Sequence, residues 1–209
     1  MDLSATIVLI IFTALTSYLA WQRPAMMERW MFIPKKIHQS NQWDRFVLSG
    51  LIHKDSTHLF FNMFTLYFFG GIIERFFLYQ FGPSLGILGF LGFFFGAVVV
   101  ADSPTYFKHR EHGYYRALGA SGGVAATVFG SILLMPLSDI CLFGIICLPG
   151  FALGGLFLIY SIVQSKKGND GINHDAHLFG ALFGIVAILI LAPQTAVQFV
   201  EQIKNFRLF

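Results

Sequence analysis

Charged residues are scarce in this 209-residue sequence. Asp, Glu, Lys and Arg make up 12% of it, whereas hydrophobic residues make up 56%. Soluble domains carry about 25% charged residues, so the composition excludes an ordinary soluble domain, and the mean hydropathy of +0.66 indicates a membrane protein. The net charge is only +3, with no basic face or run of like charge. This argues against a nucleic-acid partner and fits contact with a lipid bilayer.

Cysteine is almost absent, and no metal-binding motif is present. The two cysteines, Cys141 and Cys147, lie in one apolar run. Residues six apart on a helix point to different faces, so we expect two buried thiols of apolar character rather than a disulfide. The sequence contains no zinc-type cysteine spacing and no H-E-x-x-H motif. We therefore expect neither a metal nor a cofactor.

Long uncharged runs are abundant. Six stretches lack Asp, Glu, Lys and Arg, and each approaches or exceeds the roughly 20 residues that cross a bilayer as a helix. They show no period-2 alternation, which excludes a β-barrel. The first run has no basic residues before it, so we interpret it as a span rather than a signal peptide.

These runs predict an all-α membrane protein with six transmembrane helices in a single domain, residues 1–209, and with both termini on one side. We expect short links at Glu74–Arg75 and Met135–Pro136. Residues 23–55, which mix aromatic and basic side chains, form the predicted interfacial loop. The predicted spans are residues 3–22, 56–75, 80–101, 119–135, 140–163 and 175–193.

Polar side chains inside spans are costly, so they are functional candidates. His58 and Asn62 lie near the start of span two, Ser121 at the start of span four and His177 at the start of span six. Spans two, four and six run in the same direction. The four residues are therefore predicted to meet near one face of the membrane, in a site that water must reach.

Ser121 is the candidate nucleophile. It lies in Gly119-Ala120-Ser121-Gly122-Gly123, where glycines permit close approach of a ligand and a helix start offers unpaired backbone N–H groups. The alternative is a serine that only caps a helix. The same five residues fit the nucleophile elbow of α/β-hydrolases. That motif needs a preceding strand, and the sequence before Ser121 does not predict one.

The remaining polar residues suit the other parts of a serine hydrolase. His177 can act as general base, because the pKa of histidine lies near neutrality; alternatively it anchors the span at the interface. His58 and Asn62, four residues apart, share one helix face and can donate hydrogen bonds to an oxyanion, or simply bond neighbouring helices. No acidic residue lies deep in a predicted span, so a Ser–His dyad is expected rather than a triad.

Together these residues resemble the rhomboid family of intramembrane serine proteases. His53, His58 and Asn62 resemble its H-x4-H-x3-N pattern, and residues 119–122 its G-x-S-G motif. Residues 176–184 resemble its A-H-x-x-G-x-x-x-G motif, and residues 70–74 its G-G-x-x-E sequence. The motifs match in order, in spans two, four and six.

The resemblance implies a six-helix rhomboid-like bundle that hydrolyses peptide bonds in or beside transmembrane segments of membrane-protein substrates. It implies Ser121 as nucleophile, His177 as base, and His58, Asn62 and the Ser121 backbone N–H as oxyanion donors, without metal or cofactor. It also implies structural roles for a further set of residues: His53, Gly119, Gly122, Gly180, Gly184, Arg45 and Glu74. We expect a multi-pass protein of a bacterial cell membrane.

The sequence departs from the family pattern in two places. Asp44 stands between Trp43 and Arg45, where the family often has Trp-Arg, and Ala125 replaces a tyrosine often found four residues after the serine. The imidazole of His177 must then be positioned by another group.

The sequence leaves alternatives open for the membrane orientation and for the activity. The odd-numbered loops carry eleven Lys and Arg residues and the even-numbered loops and C-terminus three, so the positive-inside rule places the odd-numbered loops in the cytoplasm. The bacterial rhomboids that the sequence resembles open to the opposite face, and the sequence leaves both orientations open. Alternative functions are a catalytically silent rhomboid-like protein that binds membrane clients, and a small transporter with a histidine proton path. The sequence does not indicate an oligomeric state.

Overall fold

The computed structural model describes residues 4–111, 113–142, 144–167 and 173–207. The chain is mostly helical, with one two-stranded sheet. The helices are α1 (Ala5–Gln22), α2 (Pro24–Trp30), α3 (Pro34–Ser40), α4 (Arg45–Leu48), α5 (Ser56–His109), α6 (Ser121–Leu134), α7 (Gly150–Lys167), α8 (His174–Leu191) and α9 (Gln194–Lys204). The strands are β1 (Asp139–Leu142) and β2 (Ile146–Pro149).

The second and third predicted spans form the two arms of one element, α5. Gly82 has φ +74° and ψ 179°, a conformation that only glycine adopts readily, and Pro83 follows it. The chain reverses there, since a side chain on Gly86 would lie 2.8 Å from the carbonyl oxygen of Phe77. The prediction of a link at Glu74–Arg75 is therefore wrong. Apolar residues continue past Glu74, and the Gly-Pro pair provides the turn.

The predicted fifth span begins later than its hydrophobicity suggests. Strands β1 and β2 form an antiparallel pair in which Cys141 faces Cys147, and α7 starts only at Gly150. The two cysteines are exposed and joined by a disulfide, so the expectation of two buried thiols on a helix is wrong. Gly144, with φ +71°, reverses the chain. An apolar run of this length does not by itself distinguish strand from helix.

Three helices among the described residues are long and apolar enough to cross a membrane: α1, α5 and α8. α6 is apolar but shorter. It packs chiefly against α5 and α8 and is buried along most of its length. The central core therefore lies around α6, while large apolar side chains elsewhere remain exposed, as lipid-facing surfaces require.

The segment 23–55, predicted as an interfacial loop, folds into short helices. Phe32, Phe46 and Tyr106 form a small buried cluster that joins this segment to the end of α5. The side chain of Arg45, 2% exposed, donates hydrogen bonds to the carbonyl oxygens of Glu28 and Met31. Arg45 thereby holds the turns of this segment together. It lies far in the sequence from the predicted catalytic residues Ser121 and His177.

Glu74 connects the first arm of α5 to the start of α1. Its carboxylate accepts hydrogen bonds from the backbone N–H groups of Ala5 and Thr6, at 2.7 and 2.9 Å, and from the hydroxyls of Ser4 and Thr6. An anion at a helix N-terminus satisfies N–H groups that have no partner within the helix. Glu74 thus holds the N-terminus of α1 against the first arm of α5. Gln22 lies at the other end of α1.

Candidate active site

The site begins with the turn before α5. Asp55 caps this helix by accepting a 2.8 Å hydrogen bond from the backbone N–H of His58. The cap fixes the first turn of α5, so that His53 and His58 lie together with ring centroids 4.9 Å apart. His58 is partly exposed, whereas His53 is completely buried.

His53 connects three parts of the chain. Its Nε2 accepts a 3.3 Å hydrogen bond from the backbone N–H of Ala120, so its Nδ1 carries the proton and donates to the hydroxyl of Ser17, 3.0 Å away. Burial, with a smaller effect of the neighbouring His58 ring, lowers the pKa of His53 from 6.5 to about 3. His53 is therefore neutral near pH 7.

Gly119 provides the space for His58. It has φ +122°, and a Cβ atom at this position would lie 2.5 Å from Cε1 and 2.8 Å from Nε2 of the His58 ring. Its backbone N–H also donates a 2.9 Å hydrogen bond to the carbonyl oxygen of Ser49. The imidazole of His58 thus lies against the backbone two residues before Ser121.

Ser121 is the first residue of α6 and is partly exposed. At a helix start, the backbone N–H groups have no partners within the helix and carry partial positive charge. The neighbouring Gly122 is buried, and a side chain there would collide with the Cβ of Ala101. This tight packing against the second arm of α5 therefore fixes the position of the α6 N-terminus, where Ser121 lies.

Helices α6 and α8 pack in parallel with almost no space between their backbones. A Cβ on Gly180 would lie 2.9 Å from Cα of Gly122, and a Cβ on Gly184 would lie 2.8 Å from Cα of Ala126. Both pairs have the same register. Small residues four apart let helices approach in this way.

This register determines where His177 lies relative to Ser121. His177 precedes Gly180 by three residues and shares its helix face, while Ser121 directly precedes Gly122. At 1.5 Å per residue, the two positions differ in height along the parallel helices by about 3 Å. Both belong to the first turn of their helices, at the same end of the bundle.

Aromatic rings surround His177. The ring of Phe157 on α7 lies 6.1 Å from the His177 ring and 5.8 Å from the ring of Phe129 on α6. The ring of His174 lies 6.0 Å from the His177 ring and nearly perpendicular to it. Phe157 and His174 thus both contact the imidazole in a chain that has Ala125 where the family often has tyrosine.

Asn62 follows one turn after His58 and is buried, with 7% of its surface exposed. Its side-chain amide donates a 2.9 Å hydrogen bond to the carbonyl oxygen of His58. The amide nitrogen carries two protons, and this bond uses one of them.

Sequence reasoning missed a polar group at the start of α8. Asn173 caps this helix by accepting a hydrogen bond from the backbone N–H of Ala176 at 3.1 Å. Its amide nitrogen lies 3.2 Å from Oγ1 of Thr105 and 3.5 Å from Oδ1 of Asp102. Asp102 is buried in the second arm of α5. Asparagine before a helix is a capping signal, but its partners come from distant sequence.

Within the described residues, no group of three or more His, Cys, Asp or Glu side chains could hold a metal ion. The first two turns of α5, α6 and α8 carry instead a hydroxyl, imidazoles, an amide and helix N-terminal N–H groups. This set can supply a nucleophile, a proton acceptor and donors to a developing oxyanion.

Comparison with known proteins identifies the family. The model of the Rhomboid domain matches residues 40–194, and the chain belongs to the rhomboid family. It is 33% identical over 156 residues to the RHOMBOID-like protein 12, mitochondrial, of Arabidopsis thaliana, an alignment covering 71% of this chain and 46% of that protein. It is 31% identical over 153 residues to the protein named "Putative rhomboid protease YdcA" of Bacillus subtilis, covering 70% of this chain and 66% of that protein. The chain therefore spans about half of one relative and two thirds of the other.

Proposed function

We propose that this protein is an intramembrane serine endopeptidase with Ser121 as nucleophile and His177 as general base. The observation that carries the proposal is the parallel, glycine-mediated packing of α6 on α8. It brings the first turns of these two helices together, and each first turn supplies one member of the dyad. A serine hydroxyl becomes nucleophilic only when a neighbouring base accepts its proton.

In the proposed mechanism, His177 removes the proton of Ser121 as Oγ attacks the scissile carbonyl carbon. The negative charge that develops on the carbonyl oxygen is stabilised by the Ser121 backbone N–H and by the side chains of His58 and Asn62. His177 then donates the proton to the leaving amine, and water hydrolyses the acyl-enzyme by the reverse sequence. The support for the oxyanion role is the position of the His58 ring against Gly119.

We further propose that the single domain crosses the membrane six times. The crossings are α1, the two arms of α5 on either side of Gly82, and α6, α7 and α8. α6 is too short to cover a hydrocarbon core of about 30 Å. Its N-terminal residue, Ser121, then lies below the membrane surface, and water must enter from that side.

The proposed substrates are transmembrane proteins, cut in or beside a membrane-spanning segment. The family shown above supports this substrate class. The bacterial cell membrane expected from the sequence stays a prediction, because one of the two relatives is mitochondrial and the other bacterial.

The test uses purified full-length protein in liposomes with a fluorescently labelled transmembrane substrate. Wild-type protein is expected to cleave it, whereas Ser121→Ala and His177→Ala abolish cleavage. Ser131→Ala is the control, because Ser131 is another serine of α6 and its hydroxyl donates only to carbonyl oxygens of helices. It should retain activity.

Cleavage that persists in Ser121→Ala contradicts the proposed mechanism. If folded wild-type protein captures the substrate without cutting it, the alternative of a catalytically silent client-binding protein is favoured. An active-site fluorophosphonate probe separates these outcomes from a poor choice of substrate, because it labels an activated serine directly.

A further inference from the structure

A cavity of about 530 Å³ lies between the segment 23–55 and the second arm of α5. This volume is within the range of about 300–1,000 Å³ that small-molecule sites occupy. Residues of α3, of α4 and of the turn between them form one wall, and the last turns of α5 with the residue that follows them form the other. The lining residues are distinct from the four proposed for catalysis: Ser121, His177, His58 and Asn62. The cavity is therefore a candidate site of its own.

The lining of the cavity changes from apolar to charged along α5. Four lining residues share one face of the helix: Val99, Ser103, Tyr106 and Arg110. At 1.5 Å per residue, Val99 and Arg110 are about 16 Å apart along the helix axis. Val99 lies in the apolar part of the second arm, whereas Arg110 directly follows the last residue of α5. The cavity thus has an apolar end within the proposed membrane crossing and a basic end beyond it.

Aromatic rings line the middle of the cavity. The ring of Trp43 lies 5.4 Å from the ring of Tyr106 and stacks on the ring of Phe46 at 6.2 Å. Phe107 lies 5.3 Å from Tyr106. Trp43 and Phe107 remain 54% and 66% exposed. Tryptophan and tyrosine concentrate at the level of lipid headgroups, where a ring can contact both hydrocarbon and water. These rings therefore indicate the depth at which headgroups meet hydrocarbon.

At the basic end, two side chains already share one anionic group. Nε2 of His38 lies 3.7 Å from Oε1 of Glu111, and Nε of Arg110 lies 3.8 Å from the same oxygen. Arg110 is always protonated in proteins. Glu111 is 70% exposed, so water screens its carboxylate and the ion pair contributes little. An anion of higher charge that enters the mouth of the cavity can therefore take the place of this carboxylate.

We infer that this cavity binds one anionic phospholipid, with the phosphate between His38 and Arg110 and an acyl chain against Val99 and Val47. The order of the lining residues matches the order of groups in such a lipid, which are a charged headgroup, a glycerol ester region and a hydrocarbon chain. Guanidinium groups bind phosphate through paired hydrogen bonds. The inference rests on the membrane crossing proposed for the second arm of α5, and it is independent of the proteolytic mechanism.

A lipid in this cavity contacts a segment that leads to the proposed active site. Phe46 and Val47 belong to α4, and Ser49 follows directly after this helix. The carbonyl oxygen of Ser49 accepts the 2.9 Å hydrogen bond from the backbone N–H of Gly119, two residues before Ser121. A ligand that binds only the folded protein raises its stability. We therefore expect the anionic lipid to raise the unfolding temperature of the protein.

The first experiment measures binding without using proteolysis. Purified full-length protein in a neutral detergent receives dioleoyl-phosphatidylglycerol or, separately, dioleoyl-phosphatidylcholine. Native mass spectrometry counts the bound lipids, and thermal unfolding measures the stabilisation. We expect one phosphatidylglycerol to bind about tenfold more tightly than phosphatidylcholine, as a charge-assisted contact predicts. Equal affinities, or a preference for phosphatidylcholine, overturn the inference.

Glycerol phosphate, which has no acyl chain, tests the headgroup alone. We expect it to leave the unfolding temperature unchanged at concentrations at which phosphatidylglycerol raises it, because the apolar end of the cavity stays unfilled. Stabilisation equal to that by phosphatidylglycerol would show that the site takes a free phosphate ester rather than a lipid.

A second experiment locates the headgroup with charge variants. Arg110→Gln is expected to weaken phosphatidylglycerol binding about tenfold, a typical loss for a hydrogen bond to a charged group. Arg116→Gln is the matched control. It removes the same charge from another exposed arginine, which pairs with Glu28 at 2.6 Å and lies outside the cavity lining. Equal losses in the two variants would indicate a general effect of charge and overturn the assignment of the site.

A third experiment tests the apolar end. Val99→Phe fills part of the cavity and is expected to weaken phosphatidylglycerol binding about tenfold, whereas Val100→Phe adds the same bulk at an exposed position outside the lining and should bind as wild type does. If Val99→Phe does not fold, Val47→Phe fills the cavity from the other wall. Wild-type binding by a folded cavity variant overturns the inference. Ser121→Ala is expected to bind the lipid normally, so a failed lipid site is distinguishable from a failed proteolytic mechanism, which the cleavage assay reports.

Discussion

His53 Nε2 accepts a hydrogen bond of 3.3 Å from the backbone N–H of Ala120, the residue directly before Ser121. The acceptor and donor are 67 residues apart in the chain. The bond joins the turn before α5 to the start of α6. It requires that Nε2 of the imidazole carries no proton, since this nitrogen is the acceptor. The protonation state of a buried histidine thereby affects the backbone next to the proposed nucleophile.

The first prediction is a loss of stability at low pH that depends on His53. Folded His53 binds its proton only near pH 3, whereas the unfolded chain binds it below about 6.5. The stabilisation is therefore complete above pH 6.5 and decreases by about 1.4 kcal/mol per pH unit as the pH falls toward 3. Thermal unfolding in detergent at pH 7.5, 6, 5 and 4.5 measures this slope.

His53→Gln is the comparison for this prediction, because glutamine offers an acceptor but does not titrate in this range. It is expected to be less stable than wild type at pH 7.5 and to lose less stability on acidification. Parallel pH profiles for the two proteins would show that His53 is not the responsible group.

The second prediction concerns Gly119. Gly119→Ala places a methyl group against the His58 ring and strains a backbone with φ +122°. A displacement of about 1 Å near reacting groups can reduce the rate about 100-fold, so we expect a loss of this size in substrate cleavage. Gly144→Ala is the control, since Gly144 also has a positive φ but no atom near its missing Cβ. Equal activities of the two variants would exclude the His58 contact as the cause.

The third prediction tests the contact between α6 and α8. Gly180→Ala and Gly184→Ala would push the helices apart and are expected to cost about 1–3 kcal/mol each, as overpacking does, with loss of cleavage. Gly92→Ala and Gly155→Ala are helical controls with open space at the missing Cβ. They should instead stabilise by about 0.5–1 kcal/mol, because alanine favours a helix. Thermal unfolding distinguishes the signs, and a tolerated Gly180→Ala would refute the close packing.

The fourth prediction tests the cap of the helix that carries His177. Asn173→Ala removes the acceptor for the Ala176 N–H and the amide donor near Asp102, so we expect about 1 kcal/mol lower stability and slower cleavage. Asn173→Ser retains a capping oxygen and should restore stability more than it restores activity. Initial rates and unfolding temperatures are compared in the same liposomes. Wild-type rates in Asn173→Ala would show that the cap does not position His177.

Local sequence signals were sufficient for some parts of the fold and misleading for others. The Gly82-Pro83 pair indicates the chain reversal in α5. The link was instead predicted at Glu74 and Arg75, because these two residues are charged. Glu74 is instead buried as an acceptor for the start of α1. The residues that fix His53 and Asn173 could not be predicted, because their partners lie far away in the chain and become neighbours only through helix packing.

By itself, the sequence determined that this is a membrane protein of the rhomboid family, because lipid demands long apolar helices and the polar exceptions fall in motifs of fixed spacing. Tertiary structure decided which helices are in contact and in which register they pack. An example is the contact between Gly180 on α8 and Gly122 on α6. It also decided that an apolar run folds back so that Cys141 meets Cys147. Hydrophobicity reports how much surface avoids water. It does not report which distant groups share that environment, since that depends on how the whole chain packs.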